Sequence, residues 1–374
     1  GKDIKVAVVD FYGYDYNHPD MQNQMTDGWD CINNQPYNAQ NFYFTNSSQA
    51  HGMAVAGVIA AKANNGKGSA GVAYDSKVVP FLIDGSEVSV VLALQKAISS
   101  EFNADIINCS FGSYFQSPAI KNEIDNVIST GRNNKGAIVV ASHGNDYYDD
   151  VEYPQYPSAY SEVLSVGAST PDDKSKVPGD GWDISNPWGT NYGDHLHLAA
   201  PGVYIFTTDL SSGDGYGNSD YISFHKTSAA APVVSGIAAL VLGQNPDLSY
   251  DQLVNQLIET ADKINSSEYN YAPNSNGTKS RETGYGRVNA LKAVGGKPTQ
   301  IESVVQSNGA NIQMNTLVQD VLEINMDSEE SLPVQTRIID LSGKVVFENN
   351  FSDIEAVLQI NATNWTSGVY MVQM

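Results

Sequence analysis

Five short apolar runs are spaced through the chain: Ile4 to Val9, Val78 to Ile83, Ala104 to Cys109, Ala137 to Ala141 and Val163 to Val166. Each is hydrophobic at largely successive positions, the pattern of parallel strands buried on both faces. Between them, Val88 to Ser99 and Ala119 to Ser129 repeat apolar residues at helical spacing. Strands alternating with helices predict an α/β fold built on a doubly wound, mostly parallel sheet. Two later helices are expected. Thr227 to Gln244 is small and apolar on every side, which suits a core helix; Tyr250 to Ala261 is amphipathic, with Ser249 as its N-cap. At Val294-Gly295-Gly296-Lys297-Pro298 the texture becomes that of a linker. Beyond it, Leu332 to Leu341, a Ser342-Gly343 turn, Lys344 to Phe347 and Gly368 to Val372 read as antiparallel strands. The expected organisation is a large domain over residues 1–293, a linker over 294–306 and a small all-β sandwich over 307–374.

Composition and charge narrow the function. The chain has 374 residues, 41% hydrophobic and 17% charged, which supports a large core and is unlike disordered or fibrous proteins. No run approaches the roughly 20 apolar residues of a membrane helix, so no membrane span is expected. The start at Gly1 carries no basic-then-apolar leader, which predicts that any leader has been removed. Lys and Arg total 20 against 42 Asp and Glu, a formal net charge of -22 that repels phosphate backbones and argues against a nucleic-acid partner. Cys31 and Cys109 allow one bridge at most and match no zinc spacing.

Three residues stand at the ends of predicted elements. Asp10 follows the first strand, where open α/β sheets bind their ligands; His51 opens the small-residue helix running to Ala61; Ser228 opens the apolar core helix. Singly, each has a plainer role, as a turn residue, a helix-end histidine or a first-turn serine. Together they are the set that nucleophilic hydrolysis requires: a hydroxyl, a base to take its proton and a carboxylate to hold the base. The surrounding sequences resemble one family. Val6-Ala7-Val8-Val9-Asp10 with Asn17-His18-Pro19-Asp20, then His51-Gly52-Met53-Ala54-Val55-Ala56-Gly57, then Thr227-Ser228-Ala229-Ala230-Ala231-Pro232 are similar, in that order, to the Asp, His and Ser motifs of subtilisin-like serine proteases. Ala141-Ser142-His143-Gly144-Asn145 resembles the family segment that carries an oxyanion-binding asparagine. The resemblance runs from about Gly1 to Ala293.

That resemblance implies a secreted serine endopeptidase acting on protein or peptide substrates, with no cofactor for the chemistry. It makes Ser228 the nucleophile, His51 the general base and then acid, and Asp10 the residue that orients His51, with Asn145 and the Ser228 N–H as oxyanion donors. Ser110, Phe111 and Gly112 resemble the strand that pairs with an extended substrate, and Ser142, His143 and Gly144 the opposite wall of the pocket for the residue before the scissile bond. Structural calcium is frequent in such enzymes. Asp30 and the Asn64-Asn65-Gly66 turn are candidates, although sequence names no metal site. The acidic group Asp146, Asp149, Asp150 and Glu152 reads as a solvated loop face, or as an attractor for a basic side chain or calcium. His195 and His197 are expected to alternate on a strand as ordinary strand histidines.

Three positions depart from the family pattern: an extra residue in Phe11-Tyr12-Gly13, Met53 in place of the usual Thr, and Lys226 where Gly usually precedes Thr-Ser. The first is expected to threaten the placement of Asp10, since a displacement of about 1 Å can cost on the order of 10²-fold in rate. The third is expected to force a different turn before the nucleophile. These departures keep a second class in view, a catalytically silent binding or adhesion protein on the same fold. Val334 to Phe347 and Ser367 to Val372 resemble the C-terminal sorting domain of the Bacteroidetes type IX secretion system, which implies export machinery as a partner and an extracellular or cell-surface location.

Overall fold

Strand β1 (Lys5–Phe11) shows how the sequence pattern becomes a layered core. Val6 and Val8 point into one cluster of buried side chains, Ala7 and Val9 into a second, so the strand is covered on both faces. The computed structural model describes residues 1–11, 13–43, 50–183, 187–213 and 215–295, together with seven strands between Val305 and Gln373. The chain divides into two compact units, Gly1–Gly295 and Gly296–Met374.

In the first unit β1 is joined by β2 (Gly28–Asp30), β3 (Gln35–Tyr37), β4 (Lys77–Ile83), β5 (Ile106–Cys109), β6 (Ile138–Ser142), β7 (Leu164–Ser169) and β8 (Leu198–Pro201). They form one sheet in the order β3-β2-β4-β1-β5-β6-β7-β8. All neighbours are parallel except the edge pair β2 and β3. From β1 the chain goes out to β2 and the edge strand β3, returns to β4 beside β1, then crosses to β5 and runs outward to β8. The carboxyl ends of β1 and β5 therefore flank the switch point, where a crevice opens in such sheets.

Helices cover both faces. Helices α1 (His51–Ala60) and α4 (Thr227–Gln244) contribute to the first cluster, and α2 (Glu87–Ile98) and α3 (Pro118–Asn134) to the second. By length and composition α4 could cross a membrane, but here it is the mostly buried central helix, touching β5, β6, β7 and β8. Two further helices, α5 (Tyr250–Glu259) and α6 (Ala290–Ala293), follow, and Ser249 caps α5 through a reciprocal box with Gln252. The hairpin of β9 (Ile205–Thr208) and β10 (Tyr221–Phe224) leads directly into α4. A small hairpin, β11 (Ala272–Asn274) with β12 (Gly277–Lys279), lies on the surface.

In the second unit β13 (Val305–Ser307), β14 (Ala310–Met314), β15 (Val321–Asp327) and β18 (Val357–Asn361) form one antiparallel sheet. A second is made of β17 (Val345–Phe351), β16 (Val334–Asp340) and β19 (Tyr370–Gln373). The expected Ser342-Gly343 turn and most of the linker lie outside the described residues, as does Tyr12.

Helix α1 is held against β9 by an unusually close approach. Thr207 Oγ1 and Thr208 Oγ1 donate to the carbonyls of Ala54 and Met53, each at 2.9 Å. A Cβ on Gly57 would overlap both threonine hydroxyls and lie 2.9 Å from the Thr208 backbone nitrogen. Gly57→Ala is therefore expected to destabilise the chain by about 1–3 kcal/mol, as an overpacked core does. Denaturant unfolding of the two proteins checks it.

Candidate active site

A carboxylate at the end of a buried strand has little water to stabilise it, so its partner must come from the protein. Asp10 is 0% exposed, and its Oδ1 lies 2.8 Å from His51 Nδ1. His51 is the first residue of α1, and its ring packs edge-on against Phe224 at 5.3 Å. With Nδ1–H donating to Asp10, the imidazole is fixed in the tautomer that leaves Nε2 with a lone pair. Burial raises the Asp10 carboxyl above its ordinary value, against the pull of the His51 ring. Burial lowers the His51 ring, but the charge of Asp10 and its hydrogen bond outweigh that and hold the ring above its ordinary value of 6.5. The extra residue after Phe11 thus does not part Asp10 from His51.

Ser228 is the second residue of α4. Among the described residues nothing accepts its backbone N–H, as expected for the first turn of a helix. Its hydroxyl donates to the Ser110 carbonyl at 3.2 Å, while Ser110 Oγ donates to the Ser228 carbonyl at 3.0 Å. The β5 end and the α4 start are thereby pinned together. Asn145 follows β6, and its Oδ1 accepts from both the Thr227 N–H and the Thr227 hydroxyl, each at 2.9 Å. These bonds occupy the oxygen of the amide and fix which way its nitrogen faces. An N–H and an amide NH₂ are both available to a developing negative charge.

These residues share one cleft of about 600 Å³. Ser110, Phe111 and Gly112 line one side, Ser142 and Gly144 the other, with His51, Asn145 and Ser228 between. Of the site residues expected from sequence all but two line this cleft; Asp10 stands behind His51, which it contacts directly. His143 does not line the cleft: it is 2% exposed, with Nε2 3.0 Å from Asp150 Oδ2. Burial lowers its pKa, against the pull of Asp150. Phe11, Asp146, Gln155, Tyr216 and Lys226 line the cleft as well; the sequence marks Asp146 only within an acidic loop, and Phe11 and Lys226 only as departures from the family pattern. Gln155 and Tyr216 belong to segments with no periodicity, so no sequence signal marked them. Gln155 reaches between the two walls: a Cβ on Gly112 or on Gly144 would meet its Oε1 at 2.7 and 2.6 Å. Its Nε2 donates to Asp146 Oδ2 at 3.1 Å, as Tyr114 OH does at 2.8 Å.

The acidic group near the cleft does not converge. Asp146 serves Tyr114 and Gln155, Asp149 pairs with Arg281 at 2.7 Å, and Asp150 takes the rings of His143 and His195. His195 and His197 precede β8 and are not on it; His197 is driven down to about 3, by burial first of all. Among the described residues no group of three or more His, Cys, Asp or Glu side chains is placed to hold a metal. Asp30 does not fit a cation, because five donors already surround its carboxylate: the Ile32 and Asn33 N–H groups and the Asn33, Gln35 and Tyr43 side chains. Asn65 likewise turns its amide nitrogen to Asp20. Cys31 and Cys109 are both buried and unbridged.

The remaining departures have different fates. Met53 is fully buried in the first cluster and is not among the cleft-lining residues. Lys226 stands in a glycine-like backbone conformation. It takes the N-cap position of α4 with φ 82° and ψ 179°, a backbone region that essentially only glycine enters without strain. Its N–H donates to the Gly202 carbonyl at 2.9 Å, and its own carbonyl accepts from Ala229 at 3.0 Å. Such a residue costs about 1–3 kcal/mol. Lys226→Gly is expected to recover about 1 kcal/mol after the added freedom of the unfolded chain is set against it. A rise of a few degrees in the unfolding midpoint checks it.

Two family models match the chain: the subtilase family over residues 1–286 and a secretion system C-terminal sorting domain over residues 318–374. Among curated proteins, thermitase of Thermoactinomyces vulgaris is 30% identical over 301 residues, 79% of this chain and 89% of that protein. The extracellular basic protease of Dichelobacter nodosus is 33% identical over 266 residues, 67% of this chain and 40% of that protein. Among solved structures, a protease from Pseudoalteromonas arctica superposes with a TM-score of 0.61 at 28% identity, over 79% of this chain and 90% of that one.

Proposed function

Because the chain belongs to the subtilase family, we propose that Asp10, His51 and Ser228 are the catalytic triad of this secreted serine endopeptidase, with Asn145 as its side-chain oxyanion donor. The observation that carries the reading is the 2.8 Å contact between buried Asp10 and His51 at one rim of the cleft that also holds Ser228 and Asn145.

In this mechanism the Ser228 hydroxyl leaves the Ser110 carbonyl and turns to His51 Nε2, which takes its proton as Oγ attacks the scissile carbonyl carbon. Asp10 stabilises the imidazolium that forms and remains ionised. Negative charge collects on the carbonyl oxygen, where the Ser228 N–H and the Asn145 amide nitrogen meet it. Donors of this kind are worth about 10²–10³ in turnover each, because they are already oriented when the charge appears. His51 then gives its proton to the departing amine, leaving an acyl-enzyme on Ser228. Water, deprotonated by His51, attacks that ester and returns the serine. Nucleophile, base, orienting carboxylate and oxyanion donors are all groups of the chain, so these steps call on no cofactor.

An extended substrate would lie along Ser110, Phe111 and Gly112, with the residue before the scissile bond between that segment and Ser142 and Gly144. Residues 1–293 would form the peptidase domain, 294–306 a linker, and 307–374 a β-sandwich that presents the chain to a type IX export machine. The C-terminal sorting domain and the secreted relatives place the protein outside the cell or on its surface.

Two outcomes are expected. Ser228→Ala should lower kcat for a peptide ester and a denatured protein by about 10⁶-fold while the fold is retained, which circular dichroism and turnover assays check together. The base works only when His51 is neutral, so activity should fall as pH drops through its pKa. Asp10 holds that value up, placing the acid limb of kcat/KM above 6.5, which a pH–rate profile measures.

A further inference from the structure

Lys226 holds a cation at the mouth of the cleft under unfavourable backbone conditions. It lies two residues before Ser228 and lines the same cleft as His51, with φ 82° and ψ 179°. Among the described residues nothing accepts a hydrogen bond or ion pair from its Nζ, in a chain with 42 acidic side chains. Its neighbour His225 has the carboxylate of Asp183 at 3.7 Å; Lys226 has none. The positive charge of Lys226 opposes protonation of the His51 ring. A strained residue persists where the surrounding structure holds it, and such residues gather at functional sites.

We propose that Lys226 is a specificity-determining residue whose ammonium receives the carboxylate of an acidic side chain on the residue after the scissile bond. The inference rests on the assignment of Ser228 and the cleft made above. The pocket assigned to the residue before the bond, between Gly112 and Gly144, decides the side. There the Asp146 carboxylate and the Gln155 Oε1 between Gly112 and Gly144 present acceptors, and an acidic side chain before the bond would meet repulsion. After the bond the same side chain leaves those acceptors and meets an unpaired cation. A lysine suits this task as a compact, flexible point charge that needs no fixed fork geometry.

The test uses the full chain and internally quenched peptides identical except for Glu, Gln or Lys at the residue after the cleaved bond. Wild type is expected to show a kcat/KM ratio of Glu over Gln of about 3- to 5-fold at low salt, the scale of a partly exposed ion pair, shrinking toward 1 as salt is raised. Lys226→Gln should bring the ratio to about 1, and Lys226→Glu should invert it in favour of the Lys peptide. A merely structural role would lower all three peptides together and leave the ratios alone. Equal ratios in wild type and Lys226→Gln, or a wild type that disfavours Glu, would overturn the proposal. So would a preference that follows a free terminal carboxylate, seen by comparing peptide acids with their amides, while ignoring Glu. Cleavage of all three peptides that survives Ser228→Ala would instead remove the assignment of the site on which the proposal rests.

Discussion

The pairing of a buried carboxylate with an imidazole at the sheet's switch point constrains everything else in the peptidase unit. Asp10 has no exposure to water, so its charge is tolerable only with a fixed partner, and His51 supplies it at 2.8 Å. That partner can be there only if α1 begins at this point and lies flat against the sheet. The small residues of α1, the Thr207 and Thr208 bonds to its carbonyls, and the edge of Phe224 all serve that placement. The tautomer of His51 follows from the same contact, and with it the availability of Nε2.

Ser228 is positioned by a second, independent set of bonds. Ser110 ties the end of β5 to the start of α4, and Thr227 ties Asn145 to the same helix end. Both sets meet at the carboxyl edge of the sheet, where a crevice opens in such folds. The cleft is therefore assembled from rigid elements, while the residues that would tune it, Gln155, Tyr216 and Lys226, stand on the connections between them.

Much of this was legible in the chain. Apolar runs without alternation specify a parallel sheet covered on both faces, and the strand-end Asp10 and helix-start His51 and Ser228 fall where such a sheet exposes its edge. The end of α4 at Gln244 follows from the point where small apolar residues stop. Other features depend on contacts between distant segments and leave no local mark. His143 sits between two wall residues, yet its ring turns to Asp150, a choice made by the neighbouring Asp194 and His195 backbone. Gln155 reaches the pocket only because Gly112 and Gly144 leave room for it. Lys226 takes a glycine-like conformation held by backbone bonds to Gly202 and Ala229, which no local sequence pattern marks. In the second unit the expected runs fall on β16, β17 and β19, whereas β13, β14, β15 and β18 are not among the expected strands, although Leu322, Ile324 and Met326 of β15 alternate cleanly with Glu323, Asn325 and Asp327.

The central claim is that Ser228 is the one serine made nucleophilic by this arrangement. The most direct measurement is to incubate the folded full-length chain with a sulfonyl fluoride, digest it and locate the adduct by mass spectrometry, in wild type and in His51→Ala. The predicted result is a single adduct on Ser228 that appears as peptidase activity disappears and that His51→Ala suppresses. An adduct on another serine, or full loss of activity with Ser228 unmodified, would contradict the account.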